Sequence, residues 1–172
     1  MPRLLSAKVI LYFLLLAVLD GTVMPVFQIG SVSPSLLYLF ICYAAFEWGS
    51  PKTVYVAFWA GLFRDFLGGG LIGLEASLLA GLALMFDFVV QKMERELPGI
   101  YFLITFLFVF CAGTVNLLAG CLAGELSLSL AGRYLGLIAM TAFYTSAMLP
   151  FFNFFTNRWF GRSSSRQFEL FR

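Results

Sequence analysis

The sequence predicts an all-α integral membrane protein with six transmembrane helices and almost no soluble mass. Three observations carry that prediction. Hydrophobic residues make up 61% of the 172 and charged residues 12%, against about 25% charged in an ordinary soluble domain, and mean hydropathy is +0.93. The apolar residues fall into six runs separated by turn-forming breaks. The basic residues sit almost entirely in alternate breaks. In lipid, the outside of a fold is as free to be apolar as its core.

A helix needs roughly 20 apolar residues to cover about 30 Å of hydrocarbon. The first segment, 8–27, follows Arg3 and Lys8 and contains Gly21 and Pro25, where a bend is expected. No small-residue cleavage site follows it, so it reads as an uncleaved span and not a signal peptide. The second, 34–48, begins at Pro34 and stops at the turn Gly49-Ser50-Pro51. The third, 52–67, stops at three consecutive glycines, Gly68 to Gly70, which make poor helix. These two segments are short, so they are either sheltered by neighbours or set in a thinned bilayer; a five-span reading with one of them re-entrant is the alternative. The fourth, 71–90, gives way to the charged stretch 92–96 and to Pro98-Gly99. The fifth, 100–122, precedes a polar break at 124–132 that holds Glu125 and several serines. The sixth, 133–155, extends towards Phe160 and is expected to kink at Pro150. Residues 1–160 thus form one membrane domain, and 161–172 a short basic tail suited to lie against anionic lipid.

Charge orients the chain. With six crossings, one side holds Arg3, Lys8, Lys52, Lys92, Arg95, Arg158, Arg162, Arg166 and Arg172; the other holds only Arg64 and Arg133. Nine against two places both termini in the cytoplasm. Tyr12, Trp48, Tyr55, Tyr101, Trp159 and Phe160 fall near the interfaces, as an aromatic belt does.

Several classes of chemistry find no support. The chain has no histidine, which removes His-based triads, His-ligated zinc and imidazole relays. Cys42, Cys111 and Cys121 lie singly in apolar runs and read as small apolar fillers. The triple glycine is not followed by the Lys of a phosphate-binding loop, and no G-x-S-x-G elbow occurs. The net charge of +2 gives no reason to expect nucleic acid as a partner. An enzyme, a cofactor and a metal site are therefore not expected.

The polar residues inside the apolar runs are the informative ones, because charge near the bilayer is costly. Gly61 and Asp65 are one turn apart, the glycine turn follows, then Gly73, and Glu75 opens the next helix. Gly61 would let a helix approach closely. Asp65 would cap the helix after the glycines, Arg64 would pair with a nearby acid, and Glu75 would sit well in the positive end of its helix dipole. A polar contact or ion-coupling site is the sharper reading of the same residues. Asn116, Gly120 and Gly124 form a small polar stripe at four-residue spacing, suited to helix packing or to an interface with another membrane protein. Asp87 lies near Lys92 and Arg95, where a local ion pair is expected, and Asp20 lies near the far end of the first span. Asn153 and Asn157 repeat one turn apart near the inner interface.

Two patterns resemble a known family. Ser33-Pro34-Ser35-Leu36-Leu37 is similar to its proline-led second span. Gly61-x-x-x-Asp65, the glycine turn and Leu71-Ile72-Gly73-Leu74 resemble its Asp-turn-Leu-Gly segment. With the six-run hydropathy, these identify the chain as a member of the rod shape-determining protein MreD family. It departs from the family at Ser35, where an acidic residue is common, and the position after Leu74, occupied here by Glu75, varies in the family. The resemblance implies a non-enzymatic component of the bacterial elongation machinery in the inner membrane. It implies association with MreC, an indirect link to RodA–PBP2 and MreB, and support of lateral peptidoglycan synthesis. It also implies a fold similar to the S-components of energy-coupling-factor transporters. Pro34, Gly61, Asp65 and Gly73 would then shape helix starts and turns, and small-residue stripes would leave a homodimer open. The rival from another class is an S-component-like transporter subunit, with Asp65, Glu75, Asn116, Glu125 and Arg133 as pocket groups. A handler of lipid or lipid-linked precursors is a third.

Overall fold

At the centre of the molecule lies a helix too short to cross a bilayer by itself. The computed structural model describes residues 7–28, 32–68, 73–92, 98–122 and 131–160. Within them, α1 is Ala7–Thr22, α2 Leu36–Glu47, α3 Lys52–Gly68, α4 Leu74–Lys92, α5 Pro98–Leu122, α6 Ala131–Ala147 and α7 Leu149–Phe160. A 3-10 turn, Met24–Phe27, follows α1. The described residues form helices and turns, with no β-sheet among them.

The 12 residues of α2 span about 18 Å at 1.5 Å per residue. All of Leu36 to Phe46 are buried, and α2 packs against each of the other six helices. A helix apolar on every side is a core helix, and this one is sheathed by protein. The neighbouring helices thus enclose the short second segment.

The sheath helices are two-faced. On α1, Tyr12, Leu16 and Ala17 turn inward while Leu11, Leu14 and Val18 are exposed. Large apolar side chains are likewise exposed on α3 (Trp59, Phe66), α4 (Met85, Phe88), α5 (Leu103, Leu118), α6 (Met140, Phe143) and α7 (Phe151, Phe154). Every outer helix thus presents large apolar side chains outward, as a surface meant for lipid or for other membrane helices does.

The α3–α4 and α5–α6 hairpins are the most closely packed pairs. In the first, a Cβ on Gly61 would stand 2.4 Å from Ala76 Cα and 2.7 Å from Glu75 O, so only glycine permits that backbone approach. In the second, a Cβ on Gly113 would stand 2.5 Å from Ile138 Cγ2.

α5 residues Gly99–Cys121 are long and apolar enough to cross a membrane. The pair Gly132–Ala147 and Leu149–Trp159 meets the same test together, bent by 45°. The sixth segment is therefore two helices, where a single kinked one was expected. The cause is Pro150: it has no N–H to return to the carbonyl of Ser146, and the break falls at Met148, whose N–H is shared between Tyr144 O (3.3 Å) and Thr145 O (3.1 Å).

Candidate functional site

Two aspartates of the apolar core, Asp20 and Asp65, do one kind of work: they finish helix N-termini that lie where water is scarce. Because α2 is short and enclosed, its terminal N–H and C=O groups need protein partners. At its N-terminus, Asp20 of α1 accepts the Leu36 N–H at 2.5 Å and the Ser35 hydroxyl at 3.3 Å. Ser35 occupies the N-cap position but its side chain makes no cap bond; the cap comes from another helix. The Ser35 N–H in turn reaches Thr145 Oγ1 at 3.4 Å, and Pro34 is buried just ahead of it. Past the other end of α2, Asp87 of α4 accepts the Ser50 N–H at 3.0 Å. That bond takes the carboxylate to the α2–α3 turn. Of the ion-pair partners expected from sequence, Arg95 and the side chain of Lys92 lie outside the described residues.

Asp65 performs the same task for α4. Its Oδ2 accepts the N–H groups of Gly73 (2.9 Å) and Ala76 (3.1 Å), and its Oδ1 that of Glu75 (3.0 Å). Gly73 has φ +95°, the left-handed conformation that glycine adopts without strain. This turns its N–H into the carboxylate. Asp65 is buried with all three bonds made, as the capping reading requires.

Glu75 then ties four helices together. Its Oε1 receives Arg64 Nε of α3 at 2.9 Å, the Tyr38 hydroxyl of α2 at 3.3 Å and Asn116 Nδ2 of α5 at 3.4 Å. Arg64 Cζ lies 4.6 Å from the centre of the Tyr38 ring, so the guanidinium is held by a carboxylate on one side and an aromatic face on the other. Charge, hydrogen-bond donors and the ring are matched around one carboxylate.

The sequence-derived candidates divide accordingly. Gly61, Asp65, Gly73, Glu75 and Asn116 come together at one end of the bundle, and Pro34 lies at the same end of α2. Gly120 is half-buried on α5, and Gly124 and Glu125 lie outside the described residues. The close approach of α6 to α5 falls at Gly113; of the Asn116, Gly120 and Gly124 stripe, Asn116 reaches Glu75 of α4. Tyr38 was not singled out from sequence, because a tyrosine in an apolar run carries no local sign of a partner 37 residues away. Asp20 did carry a sign, being an acid in an apolar run, but not the identity of its partner. No group of three or more metal-ligating side chains occurs among the described residues.

These features define a class: an all-helical membrane protein whose core charges join its own helices. Comparison with known proteins makes it particular. The chain belongs to the rod shape-determining protein MreD family, whose family model matches residues 1–158. It is thereby a membrane protein with a role in determining rod shape, in a family of shape-determining proteins. No curated protein and no solved structure matches it.

Proposed function

We propose that this chain is a non-enzymatic scaffold of the bacterial elongation complex. It sits in the inner membrane with six crossings and both termini cytoplasmic, the α6–α7 pair counting as one bent crossing. There it packs laterally against the membrane span of MreC. Through MreC it positions or regulates the RodA–PBP2 synthase, indirectly with MreB, and so supports lateral peptidoglycan synthesis. A fold of the S-component kind belongs to the same proposal.

The observation that carries the reading is the use of the intramembrane charges. Asp20, Asp65 and Asp87 accept backbone N–H groups, and Glu75 is occupied by Arg64, Tyr38 and Asn116. Groups so engaged brace a body; what that body offers to a partner is its apolar outer surface. Family membership supplies the cellular setting.

Photo-crosslinking residues placed at exposed Val18, Trp59, Met85, Leu103, Met140 and Phe154 test this. Crosslinks to MreC should come from one contiguous face, and any crosslinks to a second copy should mark a homodimer surface. Absence of MreC crosslinks from all six positions would sink the proposal. A small molecule retained through purification at one per chain would favour the transporter-subunit alternative.

A further inference from the structure

The end of the molecule away from the Glu75 knot holds a polar cavity of about 150 Å³. Its lining is Tyr43, Phe46 and Glu47 of α2, Tyr101 of α5, and Asn153 and Asn157 of α7. Those residues bring one carboxylate, two amides and two phenols, and no cation. Three further observations fix the charge of what would fill it.

First, Glu47 is the last residue of α2. The C-terminal end of a helix carries partial negative charge and favours a cation; here it carries an acid. Glu47 is exposed and forms no ion pair among the described residues. Second, Asn153 Oδ1 is a buried acceptor with no hydrogen-bond partner, and such groups are rare unless something supplies a donor. Third, Asn157 Oδ1 accepts the Tyr43 hydroxyl at 3.2 Å, which leaves that carbonyl oxygen one further lone pair. Carboxylate, free amide oxygen and half-used amide oxygen together call for a positively charged group with several N–H donors. The rings of Tyr101 and Phe46, 4.6 Å apart edge to face, wall the cavity with aromatic surface, which also favours a cation.

We propose that this cavity binds the primary ammonium of an ethanolamine lipid headgroup. Its size suits one: a cavity of about 150 Å³ accepts a benzene molecule, and ethanolamine has fewer heavy atoms. The surroundings select a lipid over a free amine. Phe154 and Phe155 directly follow Asn153 and are exposed, as are Phe151 and Trp159, so α7 offers an apolar surface for acyl chains beside a polar cavity for the headgroup. Placing the site in the inner leaflet rests on the orientation proposed above; its choice of headgroup does not.

The test uses the full chain in nanodiscs containing equal amounts of phosphatidylethanolamine, phosphatidylcholine and phosphatidylglycerol, with retained lipid read by native mass spectrometry after transfer to detergent. Phosphatidylethanolamine should be retained in preference to both others. Phosphatidylcholine carries the same positive charge but has no N–H, so it isolates the hydrogen-bonding requirement. Glu47→Gln should lower phosphatidylethanolamine retention about tenfold, the worth of one charge-assisted bond. Glu47 is exposed, so this variant should fold as the parent does, which its thermal unfolding checks. Asn153→Leu should lower retention in the same direction. Equal retention of phosphatidylcholine, or retention unchanged in Glu47→Gln, would overturn the proposal. Displacement by free ethanolamine as effective as by the lipid would assign the cavity to a soluble amine and overturn the lipid assignment. A detergent-solubilised chain has no leaflets, so failure of the six-crossing orientation would leave the headgroup preference intact, and the reverse holds too.

Discussion

Asp65 shows how much a single carboxylate does when water is absent. It accepts three N–H groups from the turn and first residues of α4, one buried at Ala76 and two part-buried at Gly73 and Glu75, and each would otherwise lose its acceptor. Asp65→Ala should therefore destabilise the protein by about 3 kcal/mol or more, read as the unfolding midpoint in detergent. Asp65→Asn keeps one carbonyl acceptor and should lose roughly half as much. Equal stability of all three proteins would refute the capping role. Gly61 supports the same junction by a different means. Gly61→Ala drives a methyl into the backbone of Ala76, which cannot swing aside as a side chain does, at a cost of about 1–3 kcal/mol. Gly81, also helical on α4, has nothing within 4 Å of its Cβ position. Gly81→Ala should be neutral or stabilising by up to about 1 kcal/mol, and the opposite signs of the two substitutions distinguish close packing from helix propensity.

At the scale of elements, what was legible in the sequence was local. Gly61, Asp65, the glycine run and Glu75 lie within 15 residues, so the cap, the close approach and the Arg64 pair followed from helix periodicity and turn chemistry. The ends of α3 and α5 were close to the expected bounds for the same reason, since Gly49-Ser50-Pro51 and Pro98 punctuate the chain. The joints that escaped sequence reasoning span helices: Asp20 to Leu36, Asp87 to Ser50, and Tyr38 and Asn116 to Glu75. Each acid was visible as an anomaly, but its partner is a backbone N–H or a residue in another helix, and nothing in a linear pattern singles out one N–H from its neighbours. The α5–α6 joint is the same kind of case, because Gly113 is one of many small residues on an apolar helix until Ile138 is set against it. Gly113→Ala should cost about 1–2 kcal/mol. Pairing it with Ile138→Val, which removes one methyl, should recover part of that loss. Additive destabilisation in the double variant would place the strain elsewhere. The Glu75 knot should show the reverse coupling: Glu75→Gln leaves Arg64 half-buried without its counter-charge, so adding Arg64→Gln should restore about 1–3 kcal/mol.

For the whole molecule, the position of α2 and the distribution of charge constrain one another. A helix of about 18 Å enclosed by six others needs ends finished by protein, and Asp20 and Asp87 finish the N-terminus and the turn beyond the C-terminus. In the proposed six-crossing topology the short helix counts as a crossing, its turn at Ser50-Pro51 and Lys52 standing at the opposite end of α2 from its start, and the number of crossings is even. An even count puts Arg3 and Arg172 on one side with seven of the other basic residues. If α2 were instead re-entrant, the count would be odd and the basic ends would be split across the membrane, against the bias of Lys and Arg towards the cytoplasm. Reporter fusions decide between these. A reporter after Arg172 should be active only in its cytoplasmic form, and one inserted between 124 and 132 only in its periplasmic form. A C-terminal fusion active in the periplasm would remove one crossing and overturn the six-crossing topology. The same fusions carried in Asp20→Ala should keep their orientation while the protein loses stability, because basic residues set the side and the aspartate sets only the joint.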